Sequence, residues 1–203
     1  IFVWDSVNDC VMSELDGSGA VQVTYTNEPQ QYGGVISQRR GTTTSTYHAD
    51  ALGSTRALTD NSGAVTDTYL NDAWGNSVVS TGTTVNPFRW VGKYGYYTDN
   101  STGQVYVRAR MYQPTAARWC SVDPLAVRPR NMILYEYTFN SPTQLVDANG
   151  LDVTVNPNLA PSGDYQCGDQ IKAGWTFSIQ GGAPATGYII QRVSCLLYTS
   201  DAA

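Results

Sequence analysis

Asp16-Gly17-Ser18-Gly19-Ala20-Val21, followed by Thr24-Tyr25 and Asn27, returns 44 positions later as Asp60-Asn61-Ser62-Gly63-Ala64-Val65, Thr68-Tyr69 and Asn71. A degenerate copy follows as Asp99-Asn100-Ser101-Thr102-Gly103-Gln104-Val105. Recurrence at that period marks an array of supersecondary units that stack on their neighbours. In each copy Asp, Asn, Ser and Gly supply a tight turn, with Gly able to take a positive φ, and a β-prone run follows. The unit is a β-hairpin.

The runs after the turns alternate. Val21, Val23 and Tyr25 fall on one face opposite Gln22, Thr24 and Thr26, and Val105, Val107, Ala109 and Met111 oppose Gln104, Tyr106, Arg108 and Arg110. Period two predicts half-buried strands with one face wetted by Thr, Gln, Tyr and Arg. Asn131 to Phe139, in which Tyr135, Tyr137 and Phe139 alternate with Glu136 and Thr138, reads as a further strand. Gly53-Ser54-Thr55-Arg56, Asp72-Ala73-Trp74-Gly75 and Asn86-Pro87-Phe88-Arg89-Trp90 each join a turn former to a large anchor. They read as hairpin turns whose rings bury between layers. The predicted class is all-β and antiparallel, without long helices. Only 14% of the 203 residues are charged, against 14 tyrosines and 19 glycines, a balance that excludes a disordered chain or a coiled coil.

The net charge of -5, with no Lys/Arg cluster, argues against a nucleic-acid or anionic-membrane surface. No apolar run approaches the roughly 20 residues that span a bilayer. The four cysteines form no Cys-x-x-Cys pair and His48 is the single histidine, so neither a structural metal site nor a cofactor site is expected. The chain begins at Ile1-Phe2-Val3-Trp4, which resembles the middle of a strand, and it is expected to be a piece of a longer protein with its targeting information upstream.

Several blocks resemble the RHS repeat-associated core of the RHS/YD-repeat polymorphic toxin family. They are Tyr47-His48-Ala49-Asp50-Ala51-Leu52-Gly53-Ser54-Thr55-Arg56, Asn86-Pro87-Phe88-Arg89-Trp90-Val91-Gly92, and Ser101 to Pro114. Then, in the family's order, come Ala117-Arg118-Trp119 with Val122-Asp123-Pro124, and Leu134-Tyr135-Glu136-Tyr137 leading to Val146-Asp147-Ala148-Asn149-Gly150-Leu151. The resemblance implies YD-type hairpin units over residues 1–46 and the core over 47–151. Together these form part of a β-cocoon, or shell, that encloses a variable C-terminal effector of the same polypeptide. Upstream RHS repeats and a secretion apparatus are the implied partners, and a secreted or cell-surface location is implied.

Many members of that family also cut their own chain after the terminal block with a pair of aspartates. In such chemistry two carboxylates share one proton: the ionised one activates water while the protonated one polarises the scissile carbonyl. The matching positions here are Asp123 and Asp147, the matching bond is Leu151–Asp152, and Arg118 matches a basic position in the preceding block. Ala126 and Ala148 depart from the Gly and Pro usual in the family, and the aspartates lie about two residues further apart than usual. The same aspartates also read as turn formers ahead of Pro124 and Gly150. A surface adhesion or carbohydrate-binding module, using exposed Tyr and Trp, is the alternative function.

Residues 152–194 resemble the truncated start of the variable effector region. Asn156 to Gly163 reads as a linker, Lys172 to Ile179 and Gly187 to Val193 as strands, and Asp164, Cys167 and Asp169 as a solvated loop. Cys195-Leu196-Leu197-Tyr198-Thr199-Ser200-Asp201-Ala202-Ala203 resembles a translated sequencing adapter and is set apart from the fold.

Overall fold

The computed structural model describes residues 1–124, 134–151 and 153–155, together with a short antiparallel pair, Tyr165–Gln166 with Pro184–Ala185. The strands expected at 172–179 and 187–193, the linker at 156–163, Asp164, Cys167, Asp169, Ala126, Asp152 and the adapter-like end at 195–203 lie outside the described residues. Among those described there is no α-helix, and the antiparallel all-β class holds.

Strands β1 (Phe2–Asp5), β2 (Cys10–Leu15), β3 (Val21–Asn27), β4 (Val35–Arg40), β5 (Thr43–Ala49), β6 (Thr55–Thr59), β7 (Val65–Asn71) and β8 (Ser77–Ser80) form one antiparallel meander in sequence order. The repeated turns explain why. In the Asp16, Asp50, Asp60 and Asp72 turns, Oδ1 accepts the amides of the residues two and four positions on, at 2.8 to 3.0 Å. Gly19, Gly53, Gly63 and Gly75, three positions on, all sit at φ between 84° and 93°. The carboxylate satisfies the amides a tight reversal leaves open, and only glycine takes that backbone angle without strain. The Asp99 turn is one residue longer, with Gly103 four positions on donating its amide to the Asp99 carbonyl.

Cross-strand registers place Tyr25, Gln38 and Ser45 side by side, and Tyr47 beside Leu58 and Asp67, all buried. The neighbouring row, Thr26, Ser37, Thr46 and Thr59, lies on the polar face, as alternation predicts. Val21 is a correction: it is 61% exposed, whereas Val23 and Tyr25 are buried. The register shifts between Val21 and Val23, where Leu15 and Glu14 are the respective partners, and this irregularity takes Val21 off the inner face. The equivalent Val65 beyond the Asp60 turn behaves identically, exposed beside a register shift.

The inner face packs on the segment after β8. Asn86, fully buried, accepts the Tyr47 hydroxyl, and Gln38 donates to the Val85 carbonyl. The Arg89 carbonyl accepts the Thr55 amide, and the Phe88 carbonyl accepts its hydroxyl. Phe88 closes a core of Val11, Val23, Tyr25, Tyr47, Leu58 and Tyr69. Trp90 enters the next core, and its ring lies against Gly75, where an added Cβ would come within 2.7 Å. The anchors thus bury between layers as expected, with Trp74 half-buried beside them.

A second sheet follows: β9 (Tyr97–Thr98), β10 (Val105–Val107), β11 (Arg110–Gln113) and β12 (Arg118–Trp119), ordered β12-β11-β10-β9. It contributes Val105, Val107, Tyr112 and Trp119 to the core around Trp90, Tyr96, Tyr137 and Val146. A last pair joins β13 (Leu145–Val146) to β14 (Thr154–Val155). The strand expected at 131–139 is not what the described part of that segment forms. Glu136 makes one bridge to Arg118, and Thr138–Asn140 then turn as a 3₁₀ segment with three consecutive left-handed residues. Tyr137 is fully buried, but left-handed backbone cannot continue a strand.

Two predictions follow from the turns. Gly63 faces open space, so Gly63→Ala meets only backbone strain of about 1 kcal/mol. Gly75→Ala must also displace Trp90 and is expected to cost about 2 kcal/mol more, read from urea denaturation midpoints. Hydrogen bonds from the Ser18 and Ser62 hydroxyls, then from backbone amides, hold Asp16 and Asp60 below the ordinary carboxylate range. A carboxyl depressed in the fold gives stability that is complete above its unfolded value and lost as pH falls through the folded one. The urea midpoint is therefore expected to drop between pH 6 and pH 3, and Asp60→Asn to shrink the drop.

Candidate cleavage site

The two sequence-nominated aspartates meet at one arginine. Arg110, the first residue of β11, has a buried guanidinium that donates from Nη2 to Asp147 Oδ2 at 3.1 Å and approaches Asp123 Oδ2 from Nη1 at 3.6 Å. Its Nε donates to the Gly150 carbonyl at 2.5 Å. The planar group lies 4.1 Å from the centre of the Trp119 ring, a cation–π contact that closes one side of the site. Burial pushes the guanidinium pKa down, while Asp147 and then Asp123 raise it, and arginine remains charged in such surroundings.

Asp147 follows β13 and is 1% exposed. Its Oδ1 accepts the Leu151 amide at 3.0 Å, so both carboxylate oxygens are engaged. Its backbone is held as firmly. The Tyr96 hydroxyl donates to the Asp147 carbonyl at 2.8 Å and accepts the Asp147 amide at 3.1 Å, with the Tyr137 hydroxyl 3.0 Å away. Burial keeps both phenols well above their ordinary pKa, so they act as neutral hydrogen-bonding groups. Asp123 follows β12, with its amide bonded to the Leu134 carbonyl and its side chain 19% exposed.

The turn 147–150 docks residue by residue onto the β10–β11 turn. Arg108 Nη1 donates to the Ala148 carbonyl at 2.5 Å, the Ala109 amide to the Asn149 carbonyl at 3.2 Å, and Arg110 Nε to the Gly150 carbonyl. Gly150 sits at φ 72°, and a Cβ there would come within 2.5 Å of the Val107 carbonyl, so glycine is required on two counts. Ala148 is 5% exposed, and its carbonyl accepts from Arg108.

Arg118 stands elsewhere. It is exposed, and its Nε donates to the Ala116 carbonyl at 3.3 Å. The cation between the aspartates is Arg110, which strict alternation assigned to the polar face. Strand β10 ends at Val107, Arg108 turns at φ 46°, and Val107 pairs with Arg110 across a two-residue reversal. That reversal puts Arg110 and Tyr112 on the same buried face as Val107 and Val105, leaving Ala109 exposed and Met111 half-buried. Arg108-Ala109 carries no turn signature. The visible clue was that Arg110 and Tyr112 sit at the right spacing to share a face.

His48 Nε2 lies 2.9 Å from Thr59 Oγ1 on the polar face of β5. No group of three His, Cys, Asp or Glu residues suited to a metal occurs among the described residues. Cys10 and Cys120 are free thiols. No described helix is long and apolar enough to cross a membrane. Trp90, Trp119, Tyr25, Tyr96, Tyr112 and Tyr137 are buried in the core, whereas Trp4 and Tyr135 are exposed.

This architecture is that of an RHS-type β-shell segment. The backbone matches a crystal structure of TcdB2-TccC3 without its hypervariable C-terminal region, with a TM-score of 0.56 and 20% identity, over 74% of this chain and 8% of that one. In sequence the chain is 31% identical over 169 residues to the tRNA3(Ser)-specific nuclease WapA of Bacillus spizizenii, covering 79% of this chain and 7% of that protein. It is 33% identical over 110 residues to the double-stranded DNA deaminase toxin A of Burkholderia cenocepacia, covering 52% of this chain and 7% of that protein. No family-wide sequence profile matches the chain. It belongs to the RHS-repeat proteins and spans less than a tenth of the length of these two relatives.

The geometry separates the two arginines by experiment. Arg110→Ala strands a buried carboxylate and is expected to destabilise the fold by about 3–5 kcal/mol. Arg118→Ala, on the surface, is expected to cost under about 0.5 kcal/mol by the same denaturation measurement.

Proposed function

We propose that residues 1–151 are the closing part of an RHS shell, with YD-type units over 1–46 and the core over 47–151, and that the chain entering at 152 leads to an enclosed C-terminal effector. The relatives' names, a tRNA nuclease and a DNA deaminase toxin, support a toxin-associated role, with the effector as the variable partner. Upstream repeats would continue the meander beyond β1. A secretion apparatus would carry the assembly to act outside the cell that makes it.

The shell also cuts its own chain between Leu151 and Asp152. What carries this reading is the single guanidinium that engages Asp123, Asp147 and the Gly150 carbonyl together. Asp147, bonded at one oxygen to Arg110 and at the other to the Leu151 amide, is the carboxylate held ionised. Asp123, partly open to solvent on the longer arm of the same cation, completes the pair. One carboxylate takes a proton from water as its oxygen bonds to the Leu151 carbonyl carbon, and the protonated partner stabilises the developing oxyanion. Collapse breaks the C–N bond, and the proton passes to the Asp152 nitrogen. Arg110 keeps the two carboxylates at one place and limits their repulsion.

Intact mass and N-terminal sequencing of the full-length protein test this. Two fragments are expected, the second beginning at Asp152. Asp147→Asn and Asp123→Asn abolish the cut while preserving folding, Arg110→Lys slows it at least about tenfold, since one ammonium cannot replace a planar fork, and Arg118→Ala leaves it unchanged. An uncut wild type refutes self-cleavage. Normal cutting by Asp147→Asn refutes the residue assignment.

A further inference from the structure

We propose that Arg108 is a positioning residue for this cleavage, through which the first hairpin of the chain holds the 147–150 turn in register with the aspartates. The inference rests on the self-cleavage reading and adds a condition to it: the turn is set only when the β1–β2 hairpin is docked.

The Arg108 side chain is 8% exposed, and its guanidinium joins three distant parts of the chain. Nη1 donates to the Tyr94 carbonyl at 3.0 Å and to the Ala148 carbonyl at 2.5 Å. Nη2 and Nε donate to the Asp9 carbonyl at 2.7 and 3.2 Å, and Nε also lies 3.0 Å from Asp9 Oδ2. The ring of Tyr32, from the β3–β4 connection, stacks 4.4 Å from the guanidinium carbon, and the Tyr32 amide donates to the Asn8 carbonyl at 2.6 Å. Asp9 and Tyr32 therefore hold the guanidinium from the first strands, while Nη1 holds the Ala148 carbonyl of the terminal turn.

The backbone is bent to build this node. Asp9, Tyr32 and Arg108 lie at φ 52°, 67° and 46°, a region non-glycine residues rarely adopt. Gly95, at φ 78°, leaves room for the guanidinium, because a Cβ there would come within 2.9 Å of Nη2. Strain concentrated in this way persists only where surrounding contacts over-determine it. Arg108 also stands two residues before Arg110, and the two hold the Ala148 and Gly150 carbonyls on either side of Asn149. A shift of the first hairpin is transmitted through one rigid, planar group to the turn that carries Asp147. Cleavage geometry tolerates only a fraction of an ångström of such a shift.

The test uses the full-length protein and two readouts. Amide hydrogen exchange across 147–151 is measured in an Asp123→Asn background, which keeps the chain whole, and cleavage rate is measured with Asp123 restored. Arg108→Ala is expected to speed exchange of the Gly150 and Leu151 amides about tenfold or more, the size of losing charge-assisted hydrogen bonds, and to slow cleavage similarly. Asp9→Asn, whose side chain tolerates the same φ, and Tyr32→Ala are expected to act in the same direction by several-fold. Tyr32→Phe keeps the stacked ring and restores both values. Asp16→Asn, in a hairpin turn away from the node, changes neither, and the amides of β3 to β7 stay protected throughout, which separates local release from general unfolding. If Arg108→Ala fails to fold, Arg108→Lys and Asp9→Asn carry the same expectation.

Unchanged exchange at 147–151 in the Asp9 and Arg108 variants overturns the proposal, whether or not cleavage slows. Accelerated exchange with undiminished cleavage overturns it as well. If the wild type is never cut while the exchange coupling is present, the mechanical link stands and the self-cleavage reading falls instead.

Discussion

A carboxylate accepting two amides of its own turn, with a left-handed glycine two residues before the strand resumes, is the device on which the meander depends. It appears at Asp16, Asp50, Asp60 and Asp72 with the same partners each time. Each reversal must return the chain antiparallel and in the register that keeps Tyr25, Tyr47, Leu58 and Tyr69 on one face. A tight turn with all its amides satisfied does so locally, so the meander needs few long-range contacts to define its order. The irregularity beside Val21 and Val65 recurs with the turn, a second sign that one unit has been used repeatedly.

The turns also serve as packing surfaces. Gly53 and Gly75 present bare backbone to Tyr94 and Trp90, so a residue needed for its φ is also needed for its lack of a side chain. The segment 86–97 threads aromatic rings against these ends and bonds its backbone to Gly53, Ser54 and Thr55. In this way the meander and the second sheet share one interior. The ring cluster of Trp90, Tyr112, Trp119 and Tyr137, with centroids 4.7 to 5.8 Å apart, supplies the apolar wall against which a buried arginine can sit.

Placing the Asp147 carboxylate in that interior beside Asp123 needs a cation, because an uncompensated buried charge costs several kcal/mol. Arg110 fills that need, with neutral Tyr96 and Tyr137 hydroxyls holding the Asp147 backbone. The same three-residue stretch, 108–110, bonds every carbonyl from 148 to 150, and one side of it reaches back to Asp9. The site is therefore not a local motif. It is assembled from β11, the ends of β12 and β13, and the first hairpin.

Hairpins, their turns, the antiparallel class and the aromatic anchors were legible from residue order, because turn chemistry and side-chain alternation act over a few neighbouring residues. Asp123 and Asp147 were nominated by family resemblance, and both lie at one site. The identity of the cation was not legible. Alternation through Val105 to Met111 assumed one continuous strand, but Arg108 and Ala109 make an unsignalled two-residue reversal, and a reversal changes which side chains share a face. For the same reason the alternating tyrosines near residue 135 did not make a strand where the backbone turns left-handed at Thr138, Phe139 and Asn140. The sequence by itself determined the repeating unit and the residues that occupy its turns. Which arginine lies between the aspartates was decided only by tertiary packing, since contacts 13 to 40 residues apart leave no trace in local periodicity.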